Sequence, residues 1–197
     1  MPGPAATQAI GIMGGSFDPA HSGHRHVIET ARRALGLDAV WVFVAAGNPL
    51  KKTQTAFVDR FASAQRRLGG RRTVISSLEH ELGLIYTIDL LKRLKRRAPH
   101  ARFVWIMGGD NLTQFHRWRR WKEIARLVPI AVVSRPGASP KAGLSRFAQM
   151  FPRIPEDAAR TLPDARPPAW VWISAPMDAM SSTELRAQMF VNALPPA

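Results

Sequence analysis

Cysteine is absent from the 197 residues, so neither a disulfide framework nor a cysteine-based zinc site can be built, and nothing asks for an oxidising compartment. Long hydrophobic runs are also missing. No stretch could cross a bilayer, and residues 1–8 lack the charged and apolar regions of a secretory signal, so the expected location is the cytoplasm, with no membrane partner. Acidic side chains are scarce: 14 Asp and Glu stand against 28 Lys and Arg, a formal net charge of +14 that favours anionic partners. Repeats and low-complexity tracts are absent too, so no linker to a second domain is expected. Residues 1–197 read as one domain, large enough to bury a core without staples.

What is present is a recurring alternation. Short apolar, β-branched runs at 9–13, 40–44, 73–76, 103–107, 130–133 and 170–173 read as strands buried on both faces. Helical patterns are expected near 25–35, 57–68, 84–97, 118–127 and 183–191. Such alternation predicts an α/β fold with a doubly wound, Rossmann-like parallel sheet, whose ligands bind beyond the carboxyl ends of the strands. Residues 134–168 are proline-rich with little periodicity, and read as a loop-rich excursion, a mobile lid or crossover, with a short helix near 144–150. In the basic run Lys92-Arg93-Leu94-Lys95-Arg96-Arg97, the stripe Leu84, Ile88, Leu91 and Leu94 leaves the charges on a solvated face.

The first strand leads into Gly14-Gly15-Ser16-Phe17-Asp18-Pro19-Ala20-His21-Ser22-Gly23-His24, which opens the first helix. Glycine lets the backbone turn sharply and approach a ligand, and the amides of a helix N-terminus point at anions. His21 and His24, three positions apart, lie on one side of a helical turn and can donate to phosphate oxygens as charge develops. This is a phosphate site in outline. It is not the dinucleotide Gly-x-Gly-x-x-Gly fingerprint, so a resident NAD is not implied. Near the other end, Ser181-Ser182-Thr183-Glu184-Leu185-Arg186 offers a helix cap with hydroxyls and an arginine one turn on.

Together these two motifs resemble the H-x-G-H nucleotidyltransferases, and within them the bacterial nicotinate-mononucleotide adenylyltransferases, from Ile10 to Arg186. The resemblance implies transfer of AMP from ATP to nicotinate mononucleotide, giving deamido-NAD and pyrophosphate by in-line attack without a covalent intermediate. It implies His21, His24, Lys51 and Arg186 at the reacting phosphates. Gly14, Gly15, Ser16, Phe17, Ser181, Ser182, Thr183 and Arg135 would hold ATP. Tyr86, Thr87, Asp110 and Trp118 would hold nicotinate mononucleotide: Tyr86-Thr87 at the pyridine carboxylate, Asp110 at ribose hydroxyls, and the Trp118 indole against the cationic pyridinium. Trp121 fits a core position instead.

Magnesium is implied with ATP, and no dedicated carboxylate cage is visible, in keeping with an ion that keeps its waters and leans on substrate phosphates. Assembly into a homo-oligomer stays open. Three rivals remain: phosphopantetheine or nicotinamide mononucleotide as the acceptor, and a non-catalytic RNA-binding module. The basic, tryptophan-containing run Arg117-Trp118-Arg119-Arg120-Trp121-Lys122 supports the last, although charge does not account for both phosphate motifs.

Overall fold

The computed structural model describes residues 7–47, 55–134 and 145–174. One seven-stranded sheet, in the order β3-β2-β1-β4-β5-β7-β6, runs through them, and every pairing is parallel. Its strands are β1 (Ala9–Gly15), β2 (Ala39–Val44), β3 (Thr73–Ser76), β4 (Arg102–Gly108), β5 (Ile130–Val133), β6 (Arg153–Ile154) and β7 (Trp170–Ile173).

Strand side chains alternate between faces, and here each face has its own core. Val40, Val42 and Val44 of β2 point to one face with Val104, Ile106, Ala131, Val133, Val171 and Ile173. Trp41, Phe43, Phe103, Trp105, Met107 and Trp170 point to the other, which is therefore the aromatic side. Helices α1 (Ser22–Leu35) and α2 (Phe57–Leu68) cover the first face, with the 3-10 helix Glu156–Asp164. The aromatic face is covered by α4 (Thr87–Arg97), α6 (Trp121–Leu127) and α7 (Arg146–Met150). Two single-turn helices, α3 (Leu78–Glu81) and α5 (Gly109–Leu112), follow β3 and β4 directly.

Helix α1 buries Val27, Ile28, Ala31 and Leu35 on one stripe. Gly36 ends it at φ 66, a left-handed conformation that glycine adopts without a Cβ penalty, and its N–H reaches the Arg32 and Arg33 carbonyls.

Several expected boundaries move. The helix foreseen at 84–97 starts at Thr87, because Tyr86 is still extended, at φ −113 and ψ 133. The one foreseen at 118–127 starts at Trp121, behind a 3-10 turn, Phe115–Arg117, for which Trp118 is the extended cap. In the excursion at 134–168 the short helix foreseen near 144–150 is α7, and the described part, 145–168, also supplies the edge strand β6 and the nine-residue 3-10 helix, which buries Ala159, Leu162 and Pro163. Strand order reverses between β1 and β4, and the crevice at their carboxyl ends is where such sheets bind ligands. Among the described residues no helix is long and apolar enough to cross a membrane.

Candidate active site

At the carboxyl end of β1 the chain turns through Ser16 and Phe17 into α1. Phe17 is buried at φ 48, a conformation uncommon outside glycine, and such strain clusters at functional sites. His21 is the N-cap of α1 and only 3% exposed. Its Nδ1 accepts the Gly23 N–H at 3.1 Å, while the His24 Nδ1 accepts the His21 N–H at 3.3 Å. A capping box usually built from a hydroxyl and a carboxylate is built here from two imidazoles.

This reciprocity fixes the chemistry of both rings. A backbone N–H can only donate, so each Nδ1 is the bare nitrogen and each Nε2 carries the proton. The rings lie 3.9 Å apart between centroids, and Phe17 meets His24 edge-on at 4.9 Å. The first turn of α1 contains no acidic residue, and its last turn carries Arg32 and Arg33, which suit the negative end of the helix dipole.

Gly14 and Gly15 also have a packing role that the motif did not announce. A Cβ on Gly14 would sit 2.7 Å from Cη2 of Trp105, and one on Gly15 would sit 3.2 Å from the Phe17 ring. Their missing side chains make room for aromatic rings packed from β4 and from the turn itself.

Among the residues expected on the acceptor side, Trp118 is half-buried and meets Trp105 at 5.9 Å and Phe115 at 5.3 Å, both edge to face. Tyr86 is half-buried under the Arg119 guanidinium, 4.6 Å above its ring, and Thr87 opens α4. Asp110 is exposed in the first turn of α5, whose N-cap is Gly108, so Asp110 is not the cap itself. Tyr86 and Trp118 pack on the aromatic core, whereas Phe17 belongs to the core on the opposite face. The two groups therefore approach the switch point from opposite faces of the sheet. Lys51, Arg135, Ser181, Ser182, Thr183 and Arg186 lie outside the described residues.

One residue went unnoticed in the sequence. Arg60 of α2 is 3% exposed and donates from Nε to the Thr55 carbonyl at 2.9 Å, from Nη1 to those of Ser16 and Ala45 at 2.9 Å, and from Nη2 to that of Ala46 at 3.4 Å. Desolvation lowers its pKa and the charge of Asp18 offsets this in part. Beside it, Thr55 Oγ1 donates to Asp18 at 2.6 Å.

Comparison with known proteins places this arrangement. The cytidylyltransferase-like family matches residues 12–188. A protein of Agrobacterium fabrum named "Probable nicotinate-nucleotide adenylyltransferase" is 46% identical over 181 residues, covering 90% of this chain and 97% of its own. One of the same name from a Caulobacter species is 47% identical over 183 residues, covering 91% of this chain and 97% of its own. The chain belongs to the cytidylyltransferase-like family and, within it, to the nicotinate-nucleotide adenylyltransferases.

A solved structure, "Plasmodium falciparum nicotinic acid mononucleotide adenylyltransferase complexed with NaAD", superposes with a TM-score of 0.65 at 20% identity, over 91% of this chain and 83% of that one. That likeness bears on the fold. This adenylyltransferase also buries a carboxyl group that no motif announced: Glu79 in α3 is 6% exposed, and burial pushes its pKa up to about 7.

Proposed function

We propose that the protein joins the AMP moiety of ATP to nicotinate mononucleotide, releasing pyrophosphate and forming deamido-NAD. The observation that carries this reading is the reciprocal histidine cap at the N-terminus of α1, beside the point where strand order reverses. An oxygen of the acceptor's phosphate attacks the α-phosphorus in line, the bond from that phosphorus to the bridging oxygen breaks, and pyrophosphate departs with its electron pair. No protein nucleophile is needed, and the work left to the chain is alignment and stabilisation of developing charge. His21 and His24, each with a protonated Nε2, donate to phosphoryl oxygens as that charge grows. Ser16 and the Gly14-Gly15 backbone line the phosphates behind them, with Phe17 holding the turn.

The resemblance assigns Lys51 and Arg186 to the same oxygens, Ser181, Ser182 and Thr183 to the outer phosphates, and Arg135 to the adenosine side. On the aromatic face Tyr86 and Thr87 recognise the pyridine carboxylate, Asp110 the ribose, and Trp118 the ring. Magnesium enters as part of the MgATP substrate. Such an ion keeps several waters and leans on the substrate phosphates. The enzyme works in the cytoplasm.

The test is pyrophosphate release from MgATP with nicotinate mononucleotide, nicotinamide mononucleotide and phosphopantetheine offered separately. Strong preference for the first is expected. Preference for either other acceptor keeps the reaction and overturns the roles of Tyr86, Thr87 and Trp118, and inactivity with all three overturns the reading.

A further inference from the structure

Strands β1 and β2 are paired up to Gly15 and Val44, and one more bond, from the Ala45 N–H to the Gly15 carbonyl at 2.9 Å, closes the ladder. The described ladder ends there, and the carbonyls of Ser16, Ala45 and Ala46 lie past its last pair. Buried carbonyls must find donors. All three find the same one, the Arg60 guanidinium, and its remaining reach takes in Thr55, so residues on both sides of the 47–54 segment close on a single side chain. Asp18, also in the β1–α1 turn, receives the Thr55 N–H at 3.4 Å and its hydroxyl at 2.6 Å, a second tie between the same two segments. Phe57, one turn before Arg60, lies under the guanidinium at 5.6 Å and stacks on His80 of α3 at 3.9 Å, which holds the base of the fork.

We propose that Arg60 is a positioning residue for phosphoryl transfer: it sets the phosphate-binding turn of residues 16–20 against Ala45, Ala46 and Thr55. It touches no substrate. Only arginine suits the place, because a planar fork can serve four carbonyls spread over two loops, whereas the lysine ammonium is a compact point with three donors. The inference rests on the reading that residues 14–24 handle the reacting phosphates. An error of about 1 Å in such placement can cost about 100-fold in rate.

The test compares wild-type enzyme with Arg60→Lys, which keeps the charge and loses the fork. Expected are a kcat lower by roughly 10- to 100-fold, a KM for nicotinate mononucleotide within about twofold, and faster hydrogen exchange confined to residues 14–20 and 45–47. A kcat within twofold of wild type overturns the proposal. So does a rate loss accompanied by faster exchange throughout the sheet, which would make Arg60 a stability residue only. If wild-type enzyme itself releases no pyrophosphate with any acceptor, it is the adenylyl-transfer reading that has failed, and the exchange pattern alone then decides the clasp: unchanged exchange at 14–20 overturns it.

Discussion

His21 and His24 hold each other in place before any ligand arrives, so substituting either one changes two things at once. Replacing His24 with alanine removes both the imidazole donor and the Nδ1 that receives the His21 N–H. The expected result is a large loss of turnover with little change in substrate binding, together with a stability loss of about 1 kcal/mol from the broken cap. His24→Asn separates the two effects, because the asparagine carbonyl can receive the same N–H but offers no imidazole. Thermal melting close to wild type with turnover as low as in His24→Ala is expected; turnover close to wild type would remove His24 from the chemistry.

A second residue-scale expectation concerns Glu79. Its unfolded pKa of 4.5 rises to about 7 in the buried site, so between those values the folded protein holds the extra proton. Stability therefore declines as pH rises from about 4.5 to 7 and is level beyond, the ionised side chain costing on the order of 3 kcal/mol at pH 8. Glu79→Gln should raise the melting temperature by several degrees at pH 8 and leave it nearly unchanged below pH 4.5. An equal shift at both pH values would exclude titration as the cause.

Among the elements, β1 and β4 show how a position legible in the sequence can carry a second reason that only the packing reveals. The glycines after the first strand were legible as a feature, yet at Gly14 what the absent Cβ admits is the Trp105 ring. Gly14→Ala should destabilise by roughly 1–3 kcal/mol through overpacking. Because Trp105 bears on Trp118, it should also raise KM for the acceptor. Adding Trp105→Phe to Gly14→Ala should restore part of both; if KM rises without recovery in the double variant, the path through Trp105 is wrong. Six strands were visible as apolar runs, five of them largely buried on both faces and the edge strand β3 half-buried. Strand β6 was not, since two residues, Arg153 and Ile154, are too few to carry a period and prolines flank them. The 3-10 helix at Glu156–Asp164 was hidden by the proline inside it, Pro163. Arg60 was hidden for a different reason: in FVDRFASAQRRL an arginine on an amphipathic helix looks solvated, and only the four carbonyls brought to it from two loops make it a buried donor.

For the whole molecule, the net charge of +14 acts at long range on two anionic substrates. Raising ionic strength from about 0.05 to about 0.3 M shortens the screening length from roughly 14 to 6 Å, and kcat/KM for MgATP should fall severalfold while kcat changes less. An effect on kcat alone would place the charge sensitivity in the transition state. Surface ion pairs moderate the field only locally, as where Glu123 meets both Lys92 at 2.7 Å and Arg120 at 2.5 Å.

The aromatic face also makes the protein its own optical instrument. Trp105 and Trp118 meet at an interplanar angle of 82°, in a chain with six tryptophans and one tyrosine. Two indoles so close couple their excited states, so near-ultraviolet circular dichroism reads their mutual tilt. A ligand ring settling on Trp118 would register there directly, without a label.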